Sequence, residues 1–174
     1  MTLHLYKIIE QPYNKEFPED LRIKLKTKLL QLICKFDCLD MVWKMPTISF
    51  DLKGKSAGCC LLDSGHIRFN PVLFIENEEY FLNEVVGHEL CHYIARQEYG
   101  LAIKPHGKEW QHLMKTIGLE PKTTHTLSVA SCVKSFDYKC GCGIILKLSI
   151  TRHNKIKKGI RYSCKKCNQI LKPT

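Results

Sequence analysis

"GHELCHYIARQEYGLAIKPHGKEW", residues 87–110, sets His88 and His92 four apart around Glu89 and follows them with a third histidine, His106. The apolar residues Phe81, Leu82, Val85, Val86, Leu90 and Ile94 keep a helical period over 78–99, with Asn77 placed to cap the start and Gly100 after the end. On such a helix positions i and i+4 lie one turn apart on one face, so the two imidazoles can aim at one point. That suits two ligands of a tetrahedral Zn2+. Glu89, offset by about 100°, stands beside the ligand face, where its carboxylate can take a proton from a water on the metal without binding the metal itself. Zinc lowers the pKa of that water to roughly 7, and Glu89 can pass the proton on to a leaving amine.

A catalytic zinc keeps three protein ligands and one open position. The HExxHxxGxxH arrangement is excluded, because Ala95 stands at its glycine and Glu98 at its third histidine. His106 is the preferred third ligand, since Gly100 ends the helix and the loop after it can return over the metal. Glu109 and His112 compete for the role from a third helix predicted over 107–117, which Gly118 and Pro121 stop.

Upstream, a short apolar start (Leu3, Leu5, Ile8, Ile9) precedes "PEDLRIKLKTKLLQLICKFDC", where Leu21, Leu25, Leu29, Leu32, Ile33 and Phe36 recur at helical spacing behind two acids. Cys34 and Cys38 in this first helix read as buried thiols. "TISFDL", "AGCCLL" and "HIRFN", separated by turn-like "KGKS" and "DSG", suggest an antiparallel meander over 47–70. Cys59 and Cys60 point to opposite faces of such a strand and are poor joint ligands. Cys91 packs against the core, and Cys132 has no partner at useful spacing.

The charge is divided unevenly. Of 27 Lys+Arg and 17 Asp+Glu, residues 131–174 hold 11 and one, the single acid being Asp137, so the whole net charge of +10 sits in the last quarter. There Cys140 and Cys142 form CxC, and Cys164 and Cys167 form CxxC: four thiolates spaced for a structural zinc, in a segment of about 40 residues too small to fold on its core alone. Residues 121–135 connect it to the rest, and beyond them short β-prone runs alternate with turns. Lys147, Arg152, His153, Lys155, Lys157, Lys158, Arg161, Lys165 and Lys166 project from this module, with Phe136 and Tyr162 available for base stacking. The pattern fits contact with DNA that does not depend on base sequence. No run approaches 18 apolar residues and the start lacks the order of a signal peptide, so a cytoplasmic protein without a membrane segment is expected. Its ten cysteines are expected as thiols or ligands.

Four motifs in order, "NEVVGHELCHYI", "PHGKEW", "THTLSVAS" and the pair "YKCGC" and "YSCKKC", together with upstream "SAGCCLLDSGHIRFNPVLF", resemble the SprT proteins of bacteria. These are relatives of the SprT domain of Spartan, a DNA-dependent protease acting on DNA–protein crosslinks. The resemblance spans nearly the whole chain. It implies an α+β fold: a gluzincin-like minimal metallopeptidase core of three main helices and a short antiparallel sheet over residues 1–130, then a small β zinc ribbon over 131–174. It implies a catalytic zinc on His88, His92 and His106 and Glu89 as general base; a monomer that acts on a protein substrate is expected. His125 matches a histidine of the family, backing a ligand, facing substrate or making a structural hydrogen bond. The expectation is therefore a zinc metallopeptidase with one catalytic and one structural Zn2+, cleaving DNA-bound or crosslinked proteins. The alternatives are a non-enzymatic zinc-stabilised nucleic-acid-binding adaptor and a hydrolase of another amide or ester.

Overall fold

Two acids at the front, a lysine at the back and an apolar stripe between them make α1 (Glu19–Asp37), with Glu19 and Asp20 in the first turn and Lys35 in the last. The computed structural model describes residues 9–10, 17–37, 45–132 and 134–174. Within it Leu21, Leu25, Leu29, Leu32, Ile33 and Phe36 are all buried. Lys35 Nζ donates to the carbonyl of Ile117 at 2.8 Å, tying α1 to the end of a distant helix. Cys34, expected inside, is exposed: Ile33 holds the inward position, and the next residue is turned by about 100° away from it. Cys38 and the apolar start at Leu3, Leu5 and Ile8 lie outside the described residues.

Strands β1 (Ile9–Glu10), β2 (Thr47–Ser49), β3 (Gly58–Leu61) and β4 (His66–Phe69) form a sheet in the order β1-β2-β4-β3. The three expected strands are present, but the antiparallel meander is not. β3 and β4 pair antiparallel, with Gly58 opposite Phe69 and Leu61 opposite His66, whereas β2 runs parallel to β4 with Thr47 opposite His66. Residues 50–57 are too long for a tight hairpin turn, and they carry the chain past β4, which leaves β3 at the edge.

One face of the sheet is apolar and one is polar, as strand alternation requires. Ile48, Ile67 and Phe69 are fully buried on the first. On the second, Thr47 Oγ1 and Ser49 Oγ each bond a ring nitrogen of His66, at 2.6 and 2.9 Å. Ser49 Oγ also donates to Asp51 Oδ1. Arg68 grips Asp51 with a side-on fork, Nε to Oδ1 and Nη2 to Oδ2, both at 3.0 Å, and this pair holds the Asp51 carboxyl below the usual range.

Asn70 is the hub between sheet and helices. Its Oδ1 accepts from the amides of Val72 and Leu73 at the start of α2 (Pro71–Glu76), while its Nδ2 donates to the carbonyls of Gly54 and Ser56 just ahead of β3. Asn77, expected to cap the helix that starts at 78, holds that N-cap position without a side-chain cap bond; its Nδ2 donates instead to Leu73 O. Phe17 stacks on Phe50 and Phe74 on Phe81, with centroids 4.1 and 4.8 Å apart, between these layers.

The helical period predicted over 78–99 is realised as α3 (Glu78–Tyr80), a π-helical stretch Phe81–Val85, and α4 (Val86–Tyr99). The π stretch closes with Val86 N–H on Phe81 O, inserting one residue and so turning everything after it by about 100° relative to an uninterrupted α-helix. α4 ends at Gly100, whose φ of 76° is left-handed. α5 (Lys108–Thr116) follows and stops before Gly118, at φ 82°.

The chain divides into two compact units, Met1–Leu127 and Ser128–Thr174. In the second, β5 (Ser135–Lys139) pairs antiparallel with β6 (Ile145–Ser149) and with β7 (Lys172–Pro173). Tyr138, Leu148 and Leu171 form a small core with Cys140 and Cys164. Between β6 and the second cysteine pair lies α6 (Ile150–Lys157), where only strands and turns were expected. Its Ile156 packs on the ribbon core and Gly159, at φ 91°, follows its end. That glycine after a lysine-rich turn was a readable stop signal. No helix among the described residues is long and apolar enough to cross a membrane.

Candidate metal centre

His88 and His92 leave α4 one turn apart, and His106, the preferred third ligand, arrives on the loop after it. Their three Nε2 atoms converge: His88 to His92 and His92 to His106 are each 3.1 Å, and His88 to His106 is 3.3 Å. Ligands at 2.0–2.1 Å around a tetrahedral zinc stand about 3.3 Å from one another, so the triangle has the right size. Two of the rings are also tied to the backbone, His88 to Lys122 and His92 to Pro105. Such bonds leave the Nε2 of His88 and of His92 as bare lone pairs, and lone pairs converging at this distance call for a cation between them. Burial is the first cause that lowers the basicity of His88 to about 4 and His92 to about 3, with the neighbouring imidazoles adding to it. All three rings are therefore neutral near pH 7, the form that binds metal. Among the described residues these three histidines make up their cluster, and Glu109 and His112 belong to neither of the two groups able to hold an ion.

Trp110, fully buried, braces the triad. Its ring lies 4.7–5.3 Å from all three imidazoles, and its Nε1 donates to the carbonyl of His88 at 3.3 Å. The motif "HGKEW" contained it, but nothing in the spacing assigned it a task.

Glu89 is 6% exposed. Burial pushes its carboxyl up to about 8, against the opposing backbone bond from Cys60 in edge strand β3. Gly58, two residues along the same strand, permits this fit. A Cβ there would stand 2.5 Å from Glu89 Cγ and 2.6 Å from Oε1, which only a shifted Glu89 could accommodate. Gly58→Ala is accordingly expected to cost about 1–3 kcal/mol of stability, as overpacking does. Thermal unfolding of the variant checks this, and an unchanged midpoint would mean that Glu89 is not held against the strand. Cys59 and Cys60 oppose Arg68 and Ile67 and so face opposite sides, as expected. Cys91 is buried, as expected.

His125 does not join the triangle. Its Nε2 donates to the carbonyl of Lys55 at 2.9 Å, fastening the segment after α5 to the loop before β3. Leu119 and Ile117 of that region pack on Gly87, where no Cβ intervenes.

The second cluster is Cys140, Cys142, Cys164 and Cys167, whose sulfurs lie within 4.8 Å of one another. Backbone bonds shape the two knuckles that present them: Gly143 N–H to Cys140 O, and Asn168 N–H to Cys164 O with Asn168 at φ 54°. Cys140 and Cys142 sulfurs are 2.6 Å apart, and their shared hydrogen bond lowers the first thiol and raises the second. Four thiols at this spacing are a donor set for a soft or borderline cation such as zinc. No disulfide joins the nine described cysteines.

Around this cluster Lys147, Arg152, Lys155, Lys157, Lys158, Arg161, Lys165 and Lys166 are exposed. Lys147 is paired with Asp137 at 3.5 Å. The two aromatic rings expected to be open for stacking are partly engaged: Phe136 lies flat on His153, centroids 3.7 Å apart, and Arg152 sits over Tyr162.

The SprT-like family model matches residues 3–128, which include both arms of the histidine triangle. The chain belongs to the SprT-like family. A Vibrio parahaemolyticus protein named SprT is 41% identical over 162 residues, covering 87% of this chain and 94% of the relative. SprT of Shewanella oneidensis is 48% identical over 129 residues, 72% of this chain and 81% of the relative. SprT of Pseudomonas paraeruginosa is 42% identical over 139 residues, 78% and 84% of the two chains. No solved structure matches. In this SprT-like chain the family match covers the histidine cluster, and the alignment with the Vibrio protein is long enough to extend into the cysteine unit.

Proposed function

We propose that this SprT-like protein is a zinc-dependent metallopeptidase that works on proteins bound or crosslinked to DNA. The observation that carries the reading is the histidine triangle: three Nε2 atoms 3.1–3.3 Å apart, with no fourth side chain in the cluster among the described residues. A closed structural site uses four protein ligands, and a site with three leaves a position for substrate. Zinc held there would polarise a peptide carbonyl and supply a nucleophile at neutral pH.

The chain's own residues supply the rest. Glu89 Oε1 and Oε2 offer a proton acceptor beside the triangle, and the same carboxyl then delivers the proton to the leaving nitrogen. Its burial suits that exchange, because a carboxyl held near neutrality is both a competent base and a competent acid. β3, at the sheet edge and in contact with Glu89 through Cys60, offers main-chain groups to an extended peptide. Trp110 keeps the ligand rings from turning away.

A second zinc on the four cysteines would hold the basic unit together, and that unit would bring the enzyme to DNA through phosphate contacts. The adaptor reading shares this half of the proposal, and one experiment separates the two. The zinc-loaded protein is incubated with a histone, with and without DNA, beside a Lys155→Glu, Lys157→Glu, Lys158→Glu variant. Cleavage that requires DNA and falls at least tenfold in the variant is expected, with DNA affinity dropping in parallel at low salt. DNA binding without any cleavage would leave the adaptor; neither activity would sink both.

A further inference from the structure

Two of the nine described cysteines are exposed, Cys34 on α1 and Cys142 in the four-sulfur cluster. Cys140 and Cys164 of the same cluster are buried, so the four ligands of one site differ in their access to solvent. Gly141 alone lies between Cys140 and Cys142 in sequence. Their sulfurs stand 2.6 Å apart, whereas Cys142 and Cys164 are separated by 4.0 Å. One ligand therefore meets solvent with a second thiol directly beside it.

Thiols that coordinate zinc are deprotonated, and the thiolate is the form that oxidants attack. The surroundings are electropositive, as they are around reactive cysteines: residues 131–174 hold 11 Lys+Arg against the single acid Asp137, and Lys165 and Lys166 stand exposed in the second knuckle. A thiolate open to solvent, with another cysteine placed to resolve its oxidised form, has the makings of a redox sensor. The described cysteines of the first unit are arranged otherwise. Cys59 and Cys60 face opposite sides of β3, and Cys91 is buried.

We propose that the cysteine cluster is a peroxide-sensitive switch, in which oxidation joins Cys140 to Cys142, releases the ribbon's zinc and so detaches the protein from DNA. The inference rests on the proposed function for that last consequence. The Cys142 thiolate attacks one oxygen of hydrogen peroxide, keeps it as a sulfenic acid and sets hydroxide free. The Cys140 thiolate then attacks the Cys142 sulfur, forming the disulfide and expelling a second hydroxide. Two electrons pass from the two sulfurs to the peroxide, and two protons from solvent complete two waters. Cys164 and Cys167 remain as a pair of donors, too few for a structural zinc. The unit thereby loses the metal that supplements its small core. The histidine triangle contains no sulfur and keeps its own ion.

The test treats the full-length protein, loaded with two zinc ions, with hydrogen peroxide near pH 7 in the absence of reductant. One equivalent of zinc should pass to a chromogenic chelator, and peptide mapping after alkylation should find Cys140 joined to Cys142. Affinity for a DNA duplex at low salt should fall about tenfold or more, and return when dithiothreitol and zinc are added. Cys142→His keeps four ligand atoms, three sulfurs and a nitrogen, but leaves no thiol at the exposed position. Each protein is compared with its own reduced form, and peroxide should draw zinc from this variant about tenfold more slowly than from wild type. Zinc retained by wild type after Cys34 has been oxidised overturns the switch. A disulfide map that leaves Cys140 and Cys142 unjoined does so whatever the variant shows, and so does duplex affinity that persists once the zinc has left. The functional reading fails separately. Reduced protein that neither binds DNA nor cleaves protein removes that reading, while zinc release and the disulfide map still decide whether the cluster is a switch.

Discussion

Glu89→Gln should lower protein cleavage by a factor of about 10³ while both zinc ions stay bound, since general acid–base groups typically contribute 10²–10⁴. The carboxamide keeps the size and polarity of a group that is 6% exposed, so packing against Gly58 and Cys60 is preserved while the proton acceptor is lost. Metal content and cleavage are measured on the same preparation. Equal rates in the two proteins would remove Glu89 from the chemistry, and loss of zinc would recast it as part of the site's architecture. The substitution also has a pH signature in chelated protein. Burial raises the carboxyl to about 8 in the folded state. The folded chain therefore retains a proton that the unfolded chain gives up, and stability is lost as pH rises from the ordinary carboxyl value through about 8. Glutamine has no such loss. Metal-free Glu89→Gln should thus be more stable than metal-free wild type at pH 8, with the gap closing towards pH 4.5, as thermal melts across that range can establish.

Cys164→Ser should cost the second unit its metal and, with it, its fold. Among its described residues the unit buries Tyr138, Leu148 and Leu171 beside Cys140 and Cys164, with Ile156 and a few other half-buried side chains packed around them, and a segment of that size seldom folds on apolar burial alone. A structural zinc contributes roughly 10 kcal/mol or more of apparent folding free energy, which no serine can replace. Bound zinc should fall from two equivalents to one. Amide resonances of residues 128–174 should collapse to unfolded positions while those of the first unit persist. DNA binding should fall with them. A ribbon that remains dispersed with one zinc per chain would show that its small core suffices.

The histidine site was legible because every constraint on it is short in sequence. His88, Glu89 and His92 share one helix whose period is printed in Leu90 and Ile94, so i and i+4 had to face one way. Gly100 ended that helix within reach of His106, and the four ribbon cysteines declared themselves by spacing alone. The preference of His106 over Glu109 and His112 could be stated from the turn at Gly100, but the convergence of its Nε2 needed coordinates.

What local pattern could not decide was whatever depends on partners far along the chain. Short β-prone runs say where strands form, not which neighbour each one takes. The parallel pairing of β2 with β4, and hence the edge position of β3, followed only from how residues 50–57 pass over the sheet. The side chain of Asn77 turned back to Leu73 O instead of capping the helix after it, while Asn70 joined the start of α2 to the carbonyls of Gly54 and Ser56. Cys34 faced outward because Ile33 took the inward position. The cost of burying Glu89 and the brace of Trp110 behind three imidazoles are likewise properties of an enclosure. The sequence by itself determined which side chains could bind metal, since that is set by residue type and helical geometry. Tertiary structure alone decided how dry their surroundings are and which of them meet solvent, since exclusion of water is a collective result of packing that no local spacing contains.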